Sequence, residues 1–293
     1  MGHAARIFGM VLAGAAVVAV GAAAPGLARA EQVVGLTNTN SLVTFDSATP
    51  GSVLSTRAIS GLGSDVLTGI DLRPATNQLY SVATNGNLYR IQLGSAGYDA
   101  TLVGNIGVGL TGSGYGIDFN PTVDRLRLID DTDQNLRINP NNAVTLTDTT
   151  IGGGFDIVGS AYTNSFAGAT STILFGLDRV GSQLLRSTNP NGGVYVSVGP
   201  LGVTLPTTNV GFDISGATGV GYFNAGNSLY TVNLDTGAAT LVGSLGAGSL
   251  RGLTVAGGAN VPEPATWAMM IGGFALTGAM VRRRRERLAY ARA

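Results

Sequence analysis

Between about Glu31 and Asn260 the chain is a succession of short runs in which apolar and polar residues alternate, separated by Gly, Asn and Asp. Asn77-Gln78-Leu79-Tyr80-Ser81-Val82 is followed by Gly86-Asn87-Leu88-Tyr89-Arg90-Ile91 and then by Ala100-Thr101-Leu102-Val103-Gly104. The same order returns as Gly219-Val220-Gly221-Tyr222-Phe223, Asn227-Ser228-Leu229-Tyr230-Thr231-Val232 and Ala239-Thr240-Leu241-Val242-Gly243. A period of two, enrichment in β-branched and aromatic residues and turn residues at each break predict strands, with no helical period of comparable length to compete. The body, taken as residues 31–258, is expected to be all-β.

The runs also repeat on a longer scale. A Gly-led short strand recurs as Gly69-Ile70-Asp71-Leu72, Gly116-Ile117-Asp118-Phe119, Gly159-Ser160-Ala161-Tyr162, Gly211-Phe212-Asp213-Ile214 and Gly252-Leu253-Thr254-Val255, at intervals of 47, 43, 52 and 41 residues. Such a period matches one four-stranded blade of a β-propeller. Gln32 to Leu36, Ser41 to Phe45 and Ser52 to Ser55 have the pattern of strands two to four of a blade whose first strand is missing, and Gly252 to Val255 that of a first strand without a blade. Joining the two ends predicts a five-bladed propeller, closed where the C-terminal strand enters the N-terminal blade, with few exposed edges. Two alternatives are an open solenoid of sheets, which leaves the last strand unpaired, and six blades, with an insertion in the 52-residue interval.

Both chain ends carry membrane signals. Arg6, an apolar stretch from Ile7 to Ala24, Pro25-Gly26 and the triplet Ala28-Arg29-Ala30 form the pattern of a signal peptide over residues 1–30, an N-terminal helix cleaved after Ala30. An uncleaved anchor is the alternative. At the other end, within residues 259–293, Pro262-Glu263-Pro264 precedes 17 uncharged residues, 265–281, and the cluster Arg282-Arg283-Arg284-Arg285. As a transmembrane helix that stretch spans roughly 25 Å at about 1.5 Å per residue, and the arginines read as a stop-transfer, positive-inside signal that leaves the body outside the cytoplasm. This combination resembles the PEP-CTERM sorting signal of exopolysaccharide-producing Gram-negative bacteria. The resemblance implies export through the inner membrane, recognition of Pro262, Glu263 and Pro264 by an exosortase-type enzyme, and delivery of the body to the cell envelope, cell surface or extracellular matrix. A permanent single-span anchor is the other outcome.

Composition removes several kinds of chemistry. The sequence has no Cys and one His, His3, which falls in the signal segment. Disulfides, cysteine nucleophiles, serine–histidine triads and zinc centres therefore lack a required part in the body. All 17 basic residues are Arg, but over residues 31–264 only 9 remain against 16 acids, so the net charge there is 9 − 16 = −7. An acidic body of this kind repels nucleic acid.

Carboxylates are what remain. Asp71, Asp118 and Asp213 occupy one repeat position, at which the other two units have Ala161 and Thr254. Apolar neighbours flank each Asp, so alternation turns the acid away from the face that packs them and gathers the three near a central channel. There they offer oxygen ligands to a hard cation such as Ca2+, or an acid and a base or nucleophile acting on a glycoside. The structural alternative is that each Asp ties down a nearby amide or Arg. Asp131-Thr132-Asp133-Gln134-Asn135 opens like a calcium loop, but Leu136 stands where that loop needs Gly and Asn142 where it needs Glu, so a hairpin turn is expected. Arg125, Arg127 and Arg137 have the forked geometry to hold an anionic sugar, or else form solvated cross-strand pairs with nearby acids. Gly112 to Gly116 and Gly152 to Gly154 lack a following helix and are loops, not phosphate cradles.

Asp118-Phe119-Asn120-Pro121-Thr122-Val123-Asp124-Arg125-Leu126-Arg127, its continuation through Gln134 to Pro140, and Ala161-Tyr162-Thr163-Asn164-Ser165 are similar to a bacterial domain of unknown function of family 4394, over nearly all of residues 32–256. This resemblance implies a propeller-like repeat and no particular activity. Together these features lead to an exported, non-catalytic binding or structural module, with polysaccharide as a candidate partner. A carbohydrate-active hydrolase using two of the three aspartates is the competing expectation, and a matrix protein stabilised by divalent ions a third.

Overall fold

A computed structural model describes residues 30–93 and 97–256. The expected signal helix and transmembrane helix, Pro262, Glu263, Pro264 and Arg282 to Arg285 lie outside the described residues. Among those described, no helix is long and apolar enough to cross a membrane.

Among the described residues the body has twenty strands and is all-β with one short 3-10 turn, Pro190–Gly192. Strands β1 (Gln32–Thr37), β2 (Ser41–Asp46) and β3 (Val53–Ser60) come first. They are followed by β4 (Asp71–Arg73), β5 (Gln78–Val82), β6 (Asn87–Leu93) and β7 (Tyr98–Asn105), then by β8 (Tyr115–Asn120), β9 (Arg125–Asp130), β10 (Asn135–Ile138) and β11 (Thr145–Thr147). The next four are β12 (Ile157–Tyr162), β13 (Leu174–Asp178), β14 (Gln183–Asn189) and β15 (Val194–Pro200). The last are β16 (Phe212–Ile214), β17 (Gly221–Ala225), β18 (Ser228–Val232), β19 (Ala239–Ser244) and β20 (Leu250–Val255). Strands β4 to β7, β8 to β11, β12 to β15 and β16 to β19 each form an antiparallel unit of four in chain order. Tight turns suffice because successive strands are neighbours. Asn40 and Asn77 take φ of +55° and +54° at two of these turns, where an Asn side chain tolerates the left-handed region.

The remaining unit joins the two ends of the body. β20 pairs antiparallel with β1, Val33 opposite Val255 and Gly35 opposite Leu253, and β2 and β3 complete the order β20-β1-β2-β3. The last strand is thus paired, as the repeat pattern required, and the 52-residue interval holds loops and no further sheet. Two parallel pairs, Ile59 with Tyr98 and Ser60 with Asp99, connect β3 to β7, so the unit that joins the two ends is continuous with its neighbour as one eight-stranded sheet.

Burial falls from the first strand of a unit to the last. Strand β12 is buried throughout, whereas β3 and β19 are largely exposed. The apolar side chains form five clusters, each between two consecutive units. One places Val34, Leu36 and Leu42 against Ile70, Leu79 and Ile91, and another packs Tyr80 and Val82 with Ile117, Phe119 and Leu128. Consecutive first strands adjoin one another, β4 beside β8, β8 beside β12, β12 beside β16, β16 beside β20 and β20 beside β4. With both faces of each sheet buried, the inner positions of a unit are apolar on both sides, which explains the near-continuous apolar runs of its first two strands.

Candidate functional site

The glycines that begin each repeat sit where first strands touch. A Cβ at Gly116 would lie 2.5 Å from the Ser160 nitrogen, one at Gly252 2.9 Å from Gly69 Cα, and one at Gly159 3.1 Å from Phe212 Cβ. At Gly211 it would overlap the Leu253 amide nitrogen. Each contact is with the following unit, and only a residue without a side chain allows backbones to approach this closely. Two residues further along, alternation brings a side chain to the same face. In three units that side chain is an aspartate.

Asp71 Oδ2 accepts the Phe119 amide at 2.7 Å, Asp118 Oδ1 the Tyr162 amide at 3.1 Å, and Asp213 Oδ2 the Val255 amide at 2.6 Å. Each donor belongs to the next unit, one residue past the position equivalent to the aspartate. The two amides that such bonds leave over, Leu72 and Ile214, are taken by Asp71 Oδ1 and Asp213 Oδ1 at 2.7 and 2.6 Å. Three carboxyls thus accept all five equivalent amides around the ring. They turn sideways into the neighbouring unit, and their exposure is 1, 0 and 3% for Asp71, Asp118 and Asp213. The tie to nearby amides expected from the repeat accounts for most of their hydrogen bonds.

The three also converge, with one oxygen from each within 4.8 Å of the others. Thr254, at the same repeat position, sits between two of them, its Oγ1 at 2.9 Å from Asp71 Oδ1 and 3.0 Å from Asp213 Oδ2. A hydroxyl has one proton to donate, so the second contact needs a proton from the carboxyl. Burial pushes Asp71 well above the usual carboxylate range, and the charge of Asp213 adds to it. Asp118 is pushed well up by burial and then by the charges of Asp71 and Asp213, against a single opposing bond from Tyr162. Asp213 is raised by burial, tempered by the bonds from Val255, Thr254 and Ile214. Asp118 Oδ2 is buried and has no hydrogen-bond partner. Asp213→Asn is expected to cost about 1–3 kcal/mol, because an amide has one acceptor oxygen for the two amides and one hydroxyl that the carboxyl serves; a urea midpoint equal to that of the parent would contradict this.

The acids of the β9–β10 hairpin serve the loop itself. Asp130 accepts the amides of Gly112, Thr132 and Gln134 at 2.9, 2.9 and 3.0 Å, and Asp131 accepts the amide and hydroxyl of Ser113. They hold the hairpin against the Gly112 loop, which agrees with a turn.

The arginines are not a solvated set. Arg127 is 2% exposed; its Nε donates to the Tyr162 hydroxyl at 2.7 Å, and its other nitrogens donate to Asn135, Asp148, the Pro190 carbonyl and Asn191. Arg137 lies directly across from it in the register and forks onto Asp148 at 2.6 and 2.7 Å, so one buried carboxylate compensates both cations. Of the three arginines only Arg125 has no side-chain partner, its bonds going to the Val123 and Asp124 carbonyls. A cavity of about 400 Å³ lined by Arg125, Arg137, Tyr162 and Asn191 adjoins one of about 550 Å³, with which it shares Asn120, Tyr162 and Pro190. Sequence reasoning missed Tyr162, Asn135, Asp148 and Asn191 as partners of Arg127, since none lies beside it in the chain. Thr254 carried a signal, its place in the repeat.

Residues 41–254 match the family described as Domain of unknown function (DUF4394). The chain belongs to this family. The matched span runs from β2 to β20 and contains all three aspartates and Thr254 of the DUF4394 domain. Residues 260–285 match the PEP-CTERM protein-sorting motif, which marks the DUF4394 chain for export across the inner membrane to the cell envelope by an exosortase-mediated route. No curated protein matches the sequence. Among solved structures the DUF4394 chain is similar to a structural genomics protein of unknown function from Bacteroides thetaiotaomicron VPI-5482, at 13% identity and a TM-score of 0.46, over 72% of this chain and 57% of that one. It is also similar to BBS1N in complex with ARL6DN, at 14% identity and a TM-score of 0.36, over 71% and 62% of the two chains. A third is the glutaminyl cyclase of Myxococcus xanthus, at 12% identity and a TM-score of 0.42, over 66% and 88%. The chain spans less than two thirds of the length of the first two.

Proposed function

We propose that the DUF4394 domain is a five-bladed β-propeller that serves at the cell surface or in the extracellular matrix as a non-catalytic binding or structural module. Its mature form comprises about residues 31–264, released from a signal peptide and from the tail beyond Pro264. The observation that carries the non-catalytic role is the use of the three aspartates. They are buried and bonded to the backbone of adjacent units, whereas the two carboxyls of a glycosidase must flank a bound sugar. Five four-stranded units that all contribute to one ring suit a rigid scaffold with its outer strands free for partners. The groove beside Arg125 is the place for a polysaccharide, with Asn120, Asn191 and Tyr162 supplying polar contacts.

Two measurements test this. Intact mass of the protein recovered from producing cells is expected to lack residues 1–30 and the tail, and Pro262→Ala with Pro264→Ala to retain the tail; full-length mass in the parent would refute the sorting. Purified protein mixed with the polysaccharide of the producing cells is expected to sediment with it and to release no reducing ends. Reducing ends that disappear in Asp118→Asn would instead support the hydrolase.

A further inference from the structure

We propose that Asp71, Asp118 and Asp213 bind a hard divalent cation of the calcium class on the axis of the ring. This goes beyond the surface role and does not depend on it. The three carboxyl groups bring one oxygen each within 4.8 Å of the others, so calcium, which takes oxygens at about 2.3–2.6 Å, fits among all three. Magnesium, at about 2.0–2.1 Å and with strict octahedral demands, suits such a set less well. Every donor is oxygen, the preference of a hard ion, and Thr254 Oγ1 lies beside two of them.

Two independent features point to an ion. Asp118 Oδ2 is buried and has no hydrogen-bond partner, and a cation would satisfy that oxygen directly. No arginine forms a salt bridge with any of the three; the four bridges among the described residues use Asp124, Asp148 and Asp156. Buried carboxylates are otherwise paired or coordinate a metal. Access exists as well. A cavity of about 230 Å³ is lined by Asp213 and Thr254, together with Ser165, Phe166 and Ala167.

The test uses the purified full-length protein, dialysed against a chelator and then against calcium. Elemental analysis is expected to find one calcium per chain, and calcium at about a hundredfold its dissociation constant to raise the melting temperature by roughly 5–10 °C. Asp118→Asn keeps an acceptor for the Tyr162 amide and is expected to lose both effects. Less than a tenth of an equivalent in the parent, with no change in melting temperature on adding calcium or chelator, would overturn the site. Undiminished calcium in Asp118→Asn would do the same. Should that variant fail to fold, the parent's stoichiometry still decides, together with Asp131→Asn, which must retain the ion; loss there would move calcium to the hairpin loop and refute the axial site.

Discussion

Gly211→Ala is expected to destabilise the domain by about 3–5 kcal/mol. Overpacking a protein interior usually costs about 1–3 kcal/mol because side chains can rotate away. Here the added methyl group would meet the Leu253 nitrogen and the Gly252 carbonyl carbon, which are backbone atoms of β20. They cannot yield without moving β20, whose far side is committed to β1. Gly211 itself is anchored, its amide donating to Asn224 Oδ1 at 2.8 Å and its carbonyl accepting the Asn224 amide at 3.1 Å. Either way the closure between the last unit and the first is strained. Gly109→Ala provides the control, since a Cβ there meets nothing within 4 Å and its φ lies outside the left-handed region. Urea titrations of both variants are expected to differ by most of the stated amount, and equal midpoints would show that the first strands can separate freely.

Arg127→Ala is expected to cost a similar amount, about 3–5 kcal/mol, by breaking a buried charged network. The guanidinium joins β9 to the next unit through the Tyr162 hydroxyl, the Pro190 carbonyl and Asn191. Without it those acceptors lose a buried donor, and the volume of a large side chain is left empty. Asp148 retains Arg137 and so is not abandoned. Arg127→Lys is expected to recover little, because one ammonium cannot reach acceptors spread around a planar fork. Thermal unfolding followed by circular dichroism should show a drop of roughly 6–20 °C for Arg127→Ala at about 2–4 °C per kcal/mol. A variant that melts within a degree or two of the parent would mean that the network is worth no more than an exposed pair.

Much of this architecture was legible in the order of residues. Strand positions followed from alternation and turn residues, since a sheet repeats every second residue. The unit length followed from the spacing of Gly69, Gly116, Gly159, Gly211 and Gly252. Pairing of the last strand with the first followed from the incomplete units at the two ends of the body, a matter of counting strands. The Pro-Glu-Pro and Arg-cluster signal is local and needs no fold to be recognised.

What the sequence by itself determined was therefore periodic or contiguous: strands, units, closure and address. The tertiary structure decided which groups meet across units. Asp71, Asp118 and Asp213 shared a repeat position in the sequence, but that each would reach the next unit's amide, and that three oxygens would gather within 4.8 Å, depended on how closely the first strands pack around the axis. Arg127 looked like one more charge in a polar stretch, yet its partners Tyr162 and Asn191 stand 35 and 64 residues away and face it only after the sheets are assembled. Local pattern reports which face a side chain takes; distance between faces is set by curvature of the whole ring, to which every unit contributes and which no single segment encodes.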